Sequence, residues 1–247
     1  MTADAPTILA TSGGLIQDSR IQIHFGPILN YEIELAGVSG HKPKLCHIGT
    51  ALGDQRYWSA LFDEAARQAG VELSHLNLFP MPNVLDIESF LGEHDAIWVG
   101  GGSVANLLVL WRLHGVDKAL HKAWKAGVVL GGVSAGSICW HTGGTTDSFG
   151  TDLRPVTNGL GFLPYSNGVH YDAEEQRRPL FHQLLKEGTL GAGYATDNGT
   201  GVLYRGTEMV EAVSEVSGRG VFHVSRDGVD GKVVERRIEP RLLPGAS

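Results

Sequence analysis

The sequence predicts an α/β protein: a mostly parallel sheet with helices on both faces, and antiparallel strands toward the C-terminus. Three observations predict it. Short, fully apolar runs alternate with helix-period segments through the first half of the chain. These runs lack the in–out alternation of a half-exposed strand, so both faces of the sheet are covered. The 34 glycines are spread among the runs, where strands turn into helices. After Ser148 the texture changes to short segments separated by Gly turns.

Thr7 to Ala10 reads as a buried strand ending in the Ser12-Gly13-Gly14 turn, and Lys44 to Ile48 as the second strand. Asp54 to Gly70 carries Trp58, Leu61, Phe62, Ala65 and Ala66 at helical spacing, with Gly70 as its stop. Val71 to Leu78 is a third strand and Ile87 to Leu91 a short helix. Ala96 to Val99 is an apolar strand that runs into Gly100-Gly101-Gly102, and Ser103 caps the helix that follows to about Leu113. Asp117 to Ala126 is the next helix. Val128 to Leu130 is another strand, expected to stop at Gly131-Gly132, and a helix follows from Ser137 to Trp140. A further helix is expected from Glu174 to Lys186. The segments at Leu203, Met209 to Val213, Gly220 to Val224 and Val233 to Ile238 read as antiparallel strands, forming either an edge of the main sheet or a small second sheet.

The bulk properties narrow the function classes. A chain of 247 residues suits one α/β domain, 1–247, and no stretch has linker composition. With 42% hydrophobic and 19% charged residues it is expected to be globular. The net charge of −7 argues against a nucleic-acid partner, and the one basic cluster, Arg177-Arg178, is too short for phosphate binding. Cys46 and Cys139 sit in no zinc or C-x-x-C spacing, so two reduced thiols and a cytoplasmic location are expected. No secretory signal or membrane span is read, and a monomer and a homodimer both fit.

The strongest chemical signal is Gly132-Val133-Ser134-Ala135-Gly136. It matches G-x-S-x-G and lies between an apolar strand and an expected helix, where a nucleophile elbow sits. The small neighbours permit a sharp turn that presents the Ser134 hydroxyl. The Ala135 N–H then points toward a developing oxyanion, and the start of the helix adds positive potential. The bland alternative is a tight turn that contains a serine. A nucleophilic serine needs a base. Among the 11 histidines, His170 stands out near a probable strand end, in Gly168-Val169-His170-Tyr171-Asp172, although a packed polar role fits that context equally well. His121, His182 and His223 read as surface or structural residues, and His47 and His141 as candidates for the rim. The Gly100-Gly101-Gly102 loop offers backbone N–H groups, either as the other half of an oxyanion hole or as a plain βα turn. It is neither G-x-G-x-x-G nor a Walker motif, which disfavours a nucleotide site.

Taken in order, Val99-Gly100-Gly101-Gly102, Gly132-Val133-Ser134-Ala135-Gly136-Ser137 and Gly159-Leu160-Gly161 leading to His170 resemble the peptidase E family, serine peptidase family S51, which also includes cyanophycinases. The resemblance runs from the first strand to about Tyr204. It implies a flavodoxin-like three-layer sandwich similar to the class I glutamine amidotransferase domain, with Ser134 where an amidotransferase carries Cys. It further implies Ser134 as nucleophile, His170 as base, and an oxyanion hole from the N–H of Ala135 with Gly102 or Gly101. The family's third triad residue is a Glu, and Asn198 falls on that position here, with Asp197 as the neighbouring alternative. An Asn can orient the imidazole but brings no charge to the imidazolium. For substrate binding, Arg177 and Arg178 are candidates to meet a substrate carboxylate, or else to pair with Asp172, Glu174 or Glu175. Trp140 and His141 are candidates to narrow the pocket. The implied activity is hydrolysis of small peptides through an acyl-enzyme, with no metal and no cofactor. The alternatives are a catalytically weak relative that binds a small acidic ligand or a protein, and an acyl hydrolase with a non-peptide substrate.

Overall fold

The computed structural model describes residues 3, 5–17, 23–173, 175–227 and 231–246. The first half holds β1 (Thr7–Thr11), β2 (Leu15–Ile16), β3 (His24–Phe25), α1 (Pro27–Leu35), β4 (Lys44–Ile48), α2 (Arg56–Ala69), β5 (Glu72–Leu76), α3 (Ile87–Gly92), β6 (Ala96–Val99), α4 (Val104–His114) and α5 (Val116–Lys125). The second half holds β7 (Val129–Val133), α6 (Ala135–Ile138), β8 (Gly143–Thr146), β9 (Arg154–Val156), β10 (Ser166–Gly168), α7 (Arg177–Glu187) and β11 (Gly193–Thr196). It closes with β12 (Thr200–Arg205), β13 (Glu208–Ser214), β14 (Val221–Arg226), β15 (Val233–Ile238) and β16 (Arg241–Leu242).

The large sheet has the order β16-β13-β12-β1-β7-β6-β4-β5. Its strands β1, β7, β6, β4 and β5 are parallel, as the apolar runs predict, and β12 joins β1 antiparallel. A second sheet runs β15-β14-β11-β10-β8-β9. The C-terminal meander therefore realises both alternatives at once: β12 and β13 edge the large sheet, while β14 and β15 edge the second.

Side-chain alternation builds the layers. Ile8, Ala10, Ile97, Val99 and Leu130 point to one face and pack with Leu107 and Trp111 of α4 and Leu120 and Trp124 of α5. Leu9, Trp98 and Val129 point to the other face, against Ile28 and Leu29 of α1 and Phe62, Ala65 and Ala66 of α2. Trp111 and Trp124 are fully buried, and truncating either to Ala would cost roughly 3–5 kcal/mol. The apolar stripe of the α2 segment is thus a sheet-facing stripe, and Gly70 ends that helix as read. Ser103 caps α4 by accepting the Asn106 N–H at 3.2 Å.

Several expectations need correction. The strand begun at Val128 does not stop at Gly131-Gly132: β7 runs on to Val133, with Gly131 and Gly132 paired to β1 on one side and β6 on the other. These glycines mark close approach rather than a strand end. A Cβ on Gly131 would lie 2.1 Å from Glu32 Oε2, and one on Gly132 would lie 2.6 Å from the Gly136 carbonyl oxygen. The helix expected from Ser137 is the single turn α6, which starts directly after Ser134, so positive potential there comes from individual N–H groups rather than a long helix. The helix α1 and the strands β8 and β10 were not read. The segments of β8 and β10 look like loops because Gly143 and Gly144 of β8 lie against backbone, their Cβ positions 2.1 Å from Val156 O and 2.2 Å from Asn167 O. The start of the helix expected at Glu174 falls outside the described residues, and α7 begins at Arg177.

Glu32, beneath Gly131, is fully buried, and neither carboxyl oxygen has a hydrogen-bond partner among the described residues. Burial pushes its pKa well above the usual carboxylate range. The folded chain therefore keeps a proton that the unfolded chain releases near pH 4.3, and this group's contribution to stability is lost as pH rises above that value. We expect Glu32→Gln to flatten the decline of unfolding free energy between pH 5 and 8, by up to about 1.4 kcal/mol per pH unit where Glu32 alone titrates. Urea denaturation across that range checks this, and an unchanged slope contradicts it.

Candidate active site

Ser134 lies at the junction of β7 and α6 with φ 57° and ψ −113°, a conformation that costs a non-glycine residue on the order of 1–3 kcal/mol. Its surroundings hold it there. Its N–H donates to Thr11 O of β1 at 3.1 Å, and its own carbonyl accepts from Ser137 and Ile138, both at 2.9 Å. The turn is possible only because its neighbours are small: a Cβ on Gly136 would meet Val99 O at 2.2 Å. The result is a half-buried hydroxyl at the carboxyl end of the parallel strands.

The triple-glycine loop follows β6, the neighbour of β7. Gly101 borders Ser134 directly, for a Cβ there would lie 3.3 Å from Ser134 Cβ and 3.9 Å from its Oγ. Gly102, at φ 127°, instead packs on the Ala51 carbonyl, 2.4 Å from where its Cβ would be. Among the described residues, no hydrogen bond occupies the N–H of Gly101, Gly102 or Ala135.

His170 comes from the second sheet, just past β10, also with a positive φ of 52°. Its N–H donates to Ser12 Oγ at 3.1 Å, and Ser12 Oγ lies 2.7 Å from Thr196 Oγ1 at the end of β11. The ring nitrogen Nδ1 is 2.6 Å from Asn198 Oδ1. An amide oxygen only accepts, so Nδ1 carries the proton and Nε2 presents its lone pair. Asn198 sits in the turn between β11 and β12, its N–H donating to Asp172 Oδ1 at 2.7 Å, and Asp172 pairs with Arg219. Asp197 turns elsewhere: its Oδ2 accepts the Gly220 N–H at 2.8 Å, and burial raises its pKa. Of the two acidic-position candidates, Asn198 is the one brought to His170.

Four expected pocket residues are engaged with other partners. Arg177 is buried and donates to Thr145 O at 2.7 Å. Arg178 pairs with Glu235, and lies over Tyr171 and Phe222 at 4.9 and 4.7 Å; Glu174, one of its expected partners, lies outside the described residues. Its charge is paired there. Trp140 is fully buried between Trp111 and Phe162, so it narrows no pocket. His141 is also fully buried, its Nδ1 2.9 Å from Ser137 O, and burial lowers its pKa to about 4.

Beside Gly100 and Gly101 opens a cavity of about 210 Å³, lined by His47, Leu52, Trp58, Phe62 and Val133 among others. Of these residues the sequence points to His47, as a possible rim residue, and to Gly100 and Gly101, as the glycine loop. Trp58 and Phe62 read as a core stripe, because a helix facing a cavity and one facing a core have the same spacing. His47 stacks on Phe62 with centroids 3.9 Å apart, and its Nδ1 lies 3.1 Å from His75 Nδ1, whose Nε2 meets Asp63 Oδ1 at 3.0 Å. Burial, then the neighbouring His75, pushes the His47 pKa down to about 3, leaving a neutral imidazole. Among the described residues no group of three or more His, Cys, Asp or Glu is arranged to hold a metal. No described helix is long and apolar enough to cross a membrane.

The sequence and the fold both have relatives. The sequence model of peptidase family S51 matches residues 8–212. The chain is 43% identical over 185 residues to YgaJ of Bacillus subtilis (strain 168), an uncharacterized peptidase, covering 74% of this chain and 78% of YgaJ. Two crystal structures share the fold at 19% identity. One is a Listeria monocytogenes EGD-e protein assigned as a peptidase E, with a TM-score of 0.60 over 84% of this chain and 98% of that one. The other is a peptidase from an acI-B1 actinobacterium, with a TM-score of 0.62 over 94% and 95%. The family model covers the chain from the first strand to β13, and the Bacillus subtilis relative is matched over 78% of its length, so the chain belongs to peptidase family S51.

Proposed function

We propose that this peptidase is a serine hydrolase that cleaves small peptides through an acyl-enzyme on Ser134. The observation that carries the reading is the left-handed Ser134 at the strand–helix junction, held against its conformational preference by β1, Gly132 and Gly136. In the first half-reaction the Ser134 hydroxyl proton passes to His170 Nε2 while Oγ bonds to the peptide carbonyl carbon. The carbonyl oxygen becomes an oxyanion facing the N–H groups of Ala135 and of Gly101 or Gly102. On collapse the C–N bond breaks, and His170 gives its proton to the leaving amine. Water then repeats the cycle, with His170 as base, and releases the acid and Ser134.

Asn198 supports this cycle in one respect. It fixes the tautomer, so that Nε2 accepts. It adds no negative charge at the imidazolium, and the chemistry is expected to be slower than with a carboxylate.

Three outcomes are expected. A fluorophosphonate probe is expected to add to Ser134, located by mass spectrometry, and not to the Ser134→Ala protein; no adduct, under conditions that label a known serine hydrolase, contradicts the nucleophile. On a peptide substrate, Asn198→Ala is expected to lower kcat on the order of 10²-fold, through loss of ring orientation. Asn198→Asp is expected to keep kcat at or above the native value and to move the acidic limb of the pH profile upward, because a carboxylate favours the protonated imidazole. Native-like turnover in Asn198→Ala removes the residue from the mechanism.

A further inference from the structure

We propose that the cavity between His47, Trp58, Phe62 and the Gly100-Gly101 loop receives the side chain on the acyl side of the scissile bond, and that it takes an uncharged apolar or aromatic side chain, not a carboxylate. This inference rests on Ser134 being the nucleophile.

The placement comes from the strand order. Around the elbow the large sheet runs β12-β1-β7-β6-β4, with Ser134 at the end of β7. His170 is tied to Ser12, at the end of β1, so the base stands on the β1 side of the serine. The cavity is built by the ends of β6 and β4 and by α2, on the opposite side. The leaving amine must collect its proton from His170 and therefore lies toward β1. The acyl fragment then extends toward β6, past Gly101, into the cavity.

The chemistry of the walls sets the preference. Leu52, Trp58, Phe62 and Val133 present carbon, and cavities of about 150 Å³ lined in this way already accept benzene; this one is about 210 Å³. Among the described residues its one formally charged lining residue is Asp54, whose sign repels a substrate carboxylate. Asp54 Oδ2 accepts the Leu78 and Phe79 N–H groups at 2.5 and 3.0 Å, and Oδ1 is buried with no hydrogen-bond partner among the described residues. His47 stacks flat on Phe62 and bonds to His75, so it supplies an aromatic wall. The arginines that could have met an acidic side chain are held by Thr145 and Glu235.

The test is a series of dipeptides X-Leu, with X as Phe, Leu, Ala, Asp or Lys, assayed with the full-length protein, with fluorophosphonate labelling run in parallel. We expect kcat/KM for Phe or Leu to exceed Ala by about 10- to 100-fold and Asp by at least about 100-fold. Leu52, 38% exposed at the cavity wall, accepts substitution without disturbing the core. Leu52→Arg is expected to raise the Asp-to-Phe ratio of kcat/KM by at least about tenfold. A native preference for Asp or Lys, with Ser134 still labelled, overturns the pocket assignment alone. No label on Ser134 and no turnover of any member of the series overturns both the nucleophile and the pocket.

Discussion

The hydrogen bond from His170 Nδ1 to Asn198 Oδ1, 2.6 Å long, is the contact on which the proposed site depends. Ser134 belongs to the large sheet. His170 belongs to the second sheet, and Asn198 to the turn that carries the chain from the second sheet back into the first. Ser12, at the end of β1, binds the backbone of His170 and the side chain of Thr196 and so holds the same junction from below. A hydrogen bond that orients a ring does its work only if both partners are fixed. Here Asn198 is fixed through Asp172 and Arg219, and His170 through Ser12. The direction of this one bond decides whether Nε2 offers a lone pair or a proton.

The backbone shows where the fold stores strain. Among the described residues three non-glycines have positive φ, namely Asp54, Ser134 and His170. One lines the cavity, one is the elbow serine and one is the histidine bound to Asn198. Each such conformation costs on the order of 1–3 kcal/mol, and it survives where surrounding contacts leave no alternative. Asp54 is pinned by two backbone N–H groups, Ser134 by Thr11 and the first turn of α6, and His170 by Ser12 and Asn198. The large sheet and its buried tryptophans provide the stability that offsets this local cost.

Legibility in the sequence followed how local each feature is. The parallel sheet could be read because strands covered on both faces are apolar at every position, as in Ala96 to Val99. Ser134 could be read because an elbow needs small residues at fixed spacing. The role of Asn198 became visible only through resemblance to a family, since nothing in Thr196 to Thr200 marks a ring-orienting amide. What failed depends on contacts far along the chain. Arg178 looked available because its partner Glu235 is 57 residues away. Trp140 looked like a pocket wall because a large aromatic next to an elbow reads the same whether it faces a ligand or, as here, Trp111 and Phe162. Gly143 and Gly144 of β8 imitate a loop, although the close approach of backbones is what requires them. The cavity wall at Trp58 and Phe62 was hidden by a periodicity that also describes a core.

The most direct test is nitrogen-15 NMR of the His170 imidazole at alkaline pH, where the ring is neutral, with the signal assigned by comparison with a His170→Gln protein. The account predicts a proton on Nδ1 and none on Nε2, with that single tautomer lost in Asn198→Ala. A native ring protonated on Nε2 would hold a donor where the proposal needs an acceptor, and the proposed proton transfer from the Ser134 hydroxyl could not occur.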